Sequence, residues 1–156
     1  MPIKPQRILW PTDFSELSLL AGRYARGFRD TFGGELHIVH VITPPLNTDL
    51  TVMLPMDVPL AVSEPDLIDA GKKAINALID AHFDADAAIV RHVLCGNPWT
   101  AICEYAQNSG IQLIVIGTHG HTGIRHALIG STAERIVQHA PCPVLTVKQA
   151  GAGFAP

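Results

Sequence analysis

The chain has 156 residues, of which 47% are apolar and only 16% are charged, and its formal net charge is −3. This length and apolar content fit one folded domain and exclude a disordered chain. The slightly acidic balance predicts no nucleic-acid partner. No apolar run approaches the roughly 20 residues of a membrane-spanning helix, so no membrane partner is expected. Because few residues are charged, more of the protein surface is apolar, and this favours an oligomer in which the apolar surface is covered.

Apolar runs and helical periodicities alternate along the sequence. Five short apolar runs predict strands over residues 8–10, 36–41, 88–94, 113–116 and 144–147. Apolar residues spaced by three and four predict four helices between them, over residues 17–32, 65–83, 98–109 and 131–139. This alternation predicts a Rossmann-like α/β fold, in which helices cover both faces of an open parallel sheet.

The predicted helix starts carry capping residues. Either Ser15 or Asp13 can cap the first helix, and Asp13 and Glu16 stand at capping-box spacing. Asn97 followed by Pro98 predicts the start of the third helix, because asparagine caps well and proline fits the first helical position.

We expect a single domain over residues 1–148 and a flexible tail over residues 149–156. Residues 44–65 interrupt the alternation with five prolines, yet they carry too many apolar side chains for a solvated linker. Three interpretations of this segment stay open: a lid over a ligand cleft, part of a dimer surface, or a disordered segment.

Three cysteines, Cys95, Cys103 and Cys142, form no CxxC motif and cannot all pair with one another. Residues 1–11 lack the long apolar stretch of a secretory signal. Both observations predict a cytoplasmic protein with reduced thiols.

In open parallel sheets, ligands bind beyond the carboxyl ends of the strands, where the strand order reverses. The residues that follow the predicted strands are therefore site candidates: Pro11 to Asp13, the segment after Val41, Cys95 to Asn97, and the chain from Gly117 onward.

A glycine-rich segment, residues 117–132, leads from the fourth predicted strand into the fourth helix. Its glycines allow backbone amides to approach a ligand closely and are expected to adopt positive φ angles. Gly130, Ser131 and Thr132 open the helix, whose first amides lack helical partners and whose dipole favours an anion. The segment has neither the lysine of a Walker A loop nor the GxGxxG fingerprint, so it predicts a phosphate site of another kind.

The residues Gly117, Gly120, Gly130 and Ser131 stand in the pattern G-x2-G-x9-G-S. This pattern resembles the G-x2-G-x9-G-[S/T] fingerprint of the universal stress protein family, in its nucleotide-binding subclass. The resemblance covers residues 6–148 and continues in four other stretches: Ile8 to Ser15, His40 and Val41, Gly96 to Pro98, and Ser131 to Val147.

The resemblance implies the strand order 3-2-1-4-5, with ATP, accompanied by Mg²⁺, bound between strands 1 and 4. Pro11, Thr12 and Asp13 would border the adenosine, with Asp13 near the ribose or the metal. Backbone groups of Val41 would meet the adenine edge. The phosphates would lie against the glycine-rich segment, at Gly117, Thr118, His119, Gly120, His121, Gly123, Gly130, Ser131 and Thr132.

The resemblance also implies a homodimer that forms through the last strand, Val144 to Val147. An edge strand exposes unpaired backbone groups, which a second copy can pair with. The expected role is regulatory, in a stress response: nucleotide occupancy changes the surface that unidentified protein partners meet. Two alternatives stay open, a slow Mg-dependent ATP hydrolase or phosphotransferase of at most weak activity, and a scaffold dimer without nucleotide. No residue is assigned as catalytic.

Some of these residues have a simpler interpretation. Asp13 can serve as a helix cap alone, and Val41 as an ordinary core residue at a strand end. His40 is expected to be a structural or surface group, as are the other histidines outside the glycine-rich segment.

The histidines of the glycine-rich segment raise the question of a metal site. His119, His121 and His126 lack the helical spacing of typical zinc ligands and have no nearby cysteine or carboxylate, so we expect no metal site among them. A partial phosphate contact from His121 or Arg125 stays open.

Overall fold

The computed structural model describes residues 3–43, 63–83, 89–119 and 129–148. Within these ranges the chain forms five strands, β1 (Arg7–Pro11), β2 (Glu35–Ile42), β3 (Ile89–Cys95), β4 (Leu113–Gly117) and β5 (Val144–Val147). The same ranges contain four helices, α1 (Glu16–Phe32), α2 (Glu64–His82), α3 (Pro98–Asn108) and α4 (Ser131–His139). The predicted order of elements is confirmed. No helix in the described ranges combines the length and apolar content needed to cross a bilayer.

The described strands form one sheet in the order β3-β2-β1-β4-β5, and every neighbouring pair is parallel. The predicted fold class is therefore confirmed. The chain moves from β1 outward through β2 to β3 and then returns to β4 on the other side of β1. The strand order thus reverses between β1 and β4, which is where open sheets of this kind bind ligands.

Helices cover both faces of the sheet and divide the core into two clusters. Ile8 and Trp10 of β1 pack in the cluster beneath α1 and α2. Leu9, between them, points the other way and packs in the cluster beneath α3 and α4. Strands read as unbroken apolar runs because side chains alternate between two faces that are both covered.

The start of α1 is held against the end of β1. The Trp10 indole Nε1–H donates to the Ser18 carbonyl at 2.9 Å. The same indole ring covers Gly22, where any Cβ atom would collide with it. The first turns of α1 therefore sit at the carboxyl end of β1, the edge of the sheet at which the candidate site lies.

Ser15, rather than Asp13, caps α1. The Ser15 hydroxyl accepts from the Ser18 N–H at 3.3 Å. The prediction of a capping box between Asp13 and Glu16 is wrong, because Glu16 is the first helical residue and Asp13 lies before the cap. The predicted cap at Asn97, with Pro98 opening α3, is confirmed.

The segment 44–65 is described only from residue 63 onward. There, Ser63 caps α2 and forms a capping box with Asp66. Residues 44–62 and the tail 149–156 lie outside the described residues, and the interpretations of this segment and of the tail therefore stay predictions.

Candidate functional site

A cleft of about 280 Å³ opens at the carboxyl ends of β1 and β4. Three predicted site residues, Gly120, His121 and Gly123, lie outside the described residues. The structure brings the other ten together in this cleft: Pro11, Thr12, Asp13, Val41, Gly117, Thr118, His119, Gly130, Ser131 and Thr132.

The turn that follows β1 forms one wall of the cleft. The Thr12 N–H donates to the Val39 carbonyl at 2.8 Å, which extends the pairing of β1 with β2 by one residue. The Thr12 hydroxyl accepts from the Phe14 N–H at 3.0 Å. Asp13 Oδ1 accepts from the Ser15 N–H at 3.0 Å and from the Ser15 hydroxyl at 2.6 Å. These hydrogen bonds orient the Asp13 carboxylate within the turn.

Two cleft residues that contact this turn were not predicted. Ser18 lies in the first turn of α1, and its hydroxyl is 2.9 Å from the Thr12 hydroxyl. His40 lies in β2, and its Nδ1 is 2.8 Å from the Thr12 carbonyl oxygen. His40 could have been found from its place beside Val41 at a strand end. Ser18 could not, because its position depends on how α1 packs on β1.

Another part of the cleft lining is apolar. Val41 is joined there by Val39, Pro98, Ile102 and Ile116, which the sequence did not predict as site residues. Val41 also packs against the core cluster beneath α3 and α4. It is thus both a core residue and part of the cleft wall, so its two interpretations are compatible. A flat apolar group, such as an aromatic base, fits a wall of this composition.

The start of α4 closes the cleft from the β4 side. The Gly130 N–H donates to the Thr118 carbonyl at 2.6 Å. A Cβ atom at Gly130 would lie 3.1 Å from that oxygen, so only glycine permits this approach without displacement. Gly130 is also the N-cap, and no side chain caps the helix in the described part of the chain. The first amides of α4, at Ser131 and Thr132, therefore lack a side-chain cap beside the cleft.

The prediction that the glycines adopt positive φ angles is wrong for the two described glycines of the motif. Gly130 has φ −77°, and Gly117 continues the extended strand β4. The physical reason for glycine is space. At Gly117 a Cβ atom would lie 3.2 Å from the Leu17 side chain of α1, so this glycine lets α1 pack closely on β4.

His119 carries a buried nitrogen atom beside the start of α4. Its Nδ1 lies 3.1 Å from the Thr118 hydroxyl oxygen. Its Nε2 is buried and has no hydrogen-bond partner among the described residues. Because buried polar atoms almost always have partners, we expect the partner of this nitrogen to come from outside the described residues.

Formal charge is scarce in the cleft. Among the described residues that line it, Asp13 is the only Asp, Glu, Lys or Arg. An anion here would therefore be held by backbone amides and hydroxyls rather than by cationic side chains.

Within the described ranges, no group of three or more His, Cys, Asp or Glu side chains is placed to hold a metal ion. Of the three histidines considered above, His121 and His126 lie outside those ranges.

The three cysteines are free thiols. Burial raises the pKa of the Cys103 and Cys142 thiols, so both stay protonated at neutral pH. Both side chains pack in the cluster beneath α3 and α4. They act as small apolar groups of the core.

The model of the universal stress protein family matches residues 4–148. The chain is 32% identical over 144 residues to universal stress protein MJ0531 of Methanocaldococcus jannaschii, covering 92% of this chain and 82% of that protein. It is 26% identical over 159 residues to universal stress protein MJ0577 of the same organism, covering 96% and 98%.

Solved structures share the fold. Universal stress protein UspA from Lactobacillus plantarum superposes with a TM-score of 0.73 at 23% identity, over 94% of this chain and 99% of that one. A universal stress protein in complex with cAMP superposes with a TM-score of 0.63 at 23% identity, over 93% and 98%. With a family model that spans nearly its whole length and a relative above 30% identity, the chain belongs to the universal stress protein family.

Proposed function

We propose that this protein binds ATP in the cleft between β1 and β4 and acts as a nucleotide-dependent regulator. The observation that carries the proposal is the meeting of two features in one cleft. One is the start of α4, which no side chain caps in the described part of the chain, and the other is the group of apolar side chains that lines the same cleft. The first suits phosphates, and the second suits a base.

Each part of the cleft suits a different part of the nucleotide. The wall that includes Val41 and Ile102 would contact the adenine ring. The carboxylate of Asp13 would face either a ribose hydroxyl or the Mg²⁺ ion that accompanies the phosphates. The amides and hydroxyls of Ser131 and Thr132 would donate to phosphate oxygens. His119 Nε2, which is buried without a partner among the described residues, would gain one in the same region.

Mg²⁺ fits this donor set as a companion of the phosphates. Magnesium usually binds through one or two carboxylates together with substrate phosphates, and keeps several water ligands. Asp13 is the one carboxylate that the described part of the cleft offers. Bound Mg²⁺ would neutralise phosphate charge.

An adenine nucleotide is the first ligand to test. One structural neighbour was solved in complex with cAMP, which is such a nucleotide. ATP is preferred here because the uncapped helix start offers several donors to a phosphate chain. Competition by ADP, AMP and cAMP measures this preference.

The decisive experiment is ATP titration of the native protein and of Gly130→Asp by calorimetry. A side chain at residue 130 would press on the Thr118 carbonyl, and its negative charge would repel phosphate at the helix start. We expect at least about tenfold weaker binding, which corresponds to about 1.4 kcal/mol. The matched control is Gly27→Asp on α1, where a Cβ atom meets nothing within 4 Å.

Two results would contradict the proposal. Native protein that neither releases adenine nucleotide on denaturation nor binds added ATP has no nucleotide site. If the native protein and folded Gly130→Asp bind ATP with equal affinity, the start of α4 is excluded as the phosphate site.

We infer that regulation proceeds through a cytoplasmic homodimer paired along β5. In the described sheet β5 is an edge strand, bonded to β4 on one side. Antiparallel pairing with a second copy would cover this edge. Nucleotide occupancy would then alter the surface that further protein partners meet in a stress response.

A further inference from the structure

His40 contacts the turn that carries Asp13 from a neighbouring strand. Its Nδ1 lies 2.8 Å from the Thr12 carbonyl oxygen. A carbonyl can only accept, so Nδ1 must carry the proton in this hydrogen bond. The contact fixes the tautomer of neutral His40 as the Nδ1–H form and joins β2 to the residue before Asp13.

His40 also contacts Phe14, the residue after Asp13. Its ring centroid lies 4.7 Å from that of His40. Phe14 has φ 65°, a left-handed conformation that costs a bulky residue energy and needs support from its surroundings. Part of that support is the hydrogen bond from the Phe14 N–H to the Thr12 hydroxyl. The imidazole of His40 therefore touches the residues on both sides of Asp13.

Helix α2 also packs against the imidazole of His40. At Gly71 of α2, a Cβ atom would lie 3.5 Å from His40 Cδ2 and 3.1 Å from the Val93 side chain. The backbone of α2 therefore comes close to the ring on the side away from the turn. This packing limits the freedom of the ring, so the hydrogen bond to Thr12 is held by α2 as well as by β2.

We propose that His40 is a positioning residue for the nucleotide cleft. By holding the Thr12 carbonyl and the Phe14 ring, it keeps the turn in the left-handed conformation that places the Asp13 carboxylate at the cleft. The inference rests on the proposed function, since the ligand that Asp13 meets is the proposed nucleotide. This role differs from a purely stabilising one, because the effect of His40 on ATP affinity depends on the position of Asp13.

The first test needs no ligand. Nitrogen NMR of native protein at a pH where His40 is neutral is expected to show the Nδ1–H tautomer. Amide exchange of Phe14 and Ser15 is expected to be faster in His40→Leu and near native in His40→Asn. The asparagine amide can donate from about the position of Nδ1. The Nε2–H tautomer, or native exchange in His40→Leu, overturns the inference whether or not ATP binds.

The second test measures ATP affinity by calorimetry, with folding of each variant checked by thermal unfolding. Loss of one hydrogen bond that orients the turn is expected to weaken ATP binding by His40→Leu roughly three- to tenfold. His40→Asn is expected to recover most of the affinity. If His40→Leu does not fold, His40→Gln takes its place, because its longer side chain keeps polarity but moves the donor. The matched control is His92→Leu, on the exposed surface of β3.

A double-mutant cycle separates positioning from general stability. In the Asp13→Asn background, His40→Leu is expected to change ATP affinity less than about twofold, since the carboxylate it positions is gone. Equal effects of His40→Leu in both backgrounds overturn the inference. Native protein that fails to bind ATP contradicts the proposed function, and the ligand-free test then decides the role of His40 alone.

Discussion

Asp13 limits what the cleft can do chemically. It is the only acidic side chain among the described cleft residues, and its Oδ1 already accepts two hydrogen bonds from Ser15. Phosphoryl transfer needs a positioned base or nucleophile together with groups that neutralise developing charge. The described part of the cleft supplies no lysine or arginine for the second task. For the described part of the cleft we therefore expect binding rather than rapid turnover.

We expect turnover of Mg-ATP by the native protein to stay below about one per second, the lower end for ordinary enzymes. Asp13→Asn keeps an oxygen that can accept from Ser15 but removes the charge, so it lowers any residual activity without opening the turn. Phosphate release measured for both proteins checks this. Faster turnover that disappears in Asp13→Asn would instead identify a hydrolase.

The surroundings of His37 in the fold shift its pKa. It is buried in β2, and its Nδ1 lies 2.8 Å from the Tyr105 hydroxyl oxygen. Burial lowers the pKa of His37 from its ordinary 6.5; Glu35 partly opposes this effect, while His92 and Arg7 add to it. The folded protein therefore takes up this proton less readily than the unfolded chain does.

The sign of the pH effect follows from linkage. Above pH 6.5 the group is neutral in both states, and its full contribution to stability is present. As the pH falls below 6.5, the unfolded chain gains the proton first, so the free energy of unfolding decreases until the folded pKa is passed. Urea unfolding at several pH values is expected to show this decrease in native protein and a weaker one in His37→Gln. Equal slopes would mean that His37 contributes nothing.

Among the elements, the junction of α1 with β1 positions the site. Trp10 fills the space above Gly22, and its indole also bonds the Ser18 carbonyl. The helix can approach the strand this closely only without a side chain at residue 22. The same approach brings Ser18 to Thr12 at the cleft, so core packing and site geometry depend on one contact.

Gly22→Ala is expected to destabilise the protein by roughly 1–3 kcal/mol, because the added methyl group overpacks the core against Trp10. Gly27→Ala, one turn later on the exposed side of α1, meets no atom within 4 Å and is expected to stabilise the helix by about 0.5–1 kcal/mol. Urea unfolding measures both changes. A Gly22→Ala protein as stable as Gly27→Ala would contradict the packing argument.

The edge strand β5 allows a test of the proposed dimer that leaves the pairing of β5 with β4 intact. The Val147 carbonyl accepts from the Thr118 N–H at 2.8 Å, so the backbone groups of Thr146 point away from β4. Thr146→Pro removes an outward N–H and leaves the bonds to β4 in place. We expect a monomer for Thr146→Pro and a dimer for Thr146→Val by light scattering. A dimer in both would exclude pairing through this edge.

For the molecule as a whole, the sequence predicted the architecture, and it named ten residues that line one cleft of the described structure. Strands buried on both faces are unbroken apolar runs, so Ile114 and Val115 identified β4 directly. The glycine spacing located the start of α4. The contacts of His40 and Ser18 with Thr12 were not predictable, because they depend on strand register and helix packing. Nor does the sequence indicate the left-handed Phe14, a conformation set by its neighbours in space.

Ligand binding is expected to stabilise the whole fold, because the cleft joins elements from both sides of the strand reversal. Saturating ATP at about one hundred times its dissociation constant would add about 2.7 kcal/mol to the free energy of unfolding. Thermal unfolding with and without ATP measures this, and Gly130→Asp provides the control. An unchanged midpoint in native protein would contradict binding at this cleft.

The start of α4, which has no side-chain cap in the described part of the chain, has a consequence for how the proposed nucleotide binding would be lost. In the proposed site the phosphate donors are the amides of Ser131 and Thr132 together with their hydroxyls, and side-chain truncation would remove only the hydroxyls. An alanine scan across this helix start would therefore find few important positions and would understate the site. We expect the proposed binding to be lost through a bulkier or acidic side chain at Gly130, which would occupy the space left by glycine, rather than through truncation of a side chain. Natural variants of such proteins are best sorted by what they add at these positions.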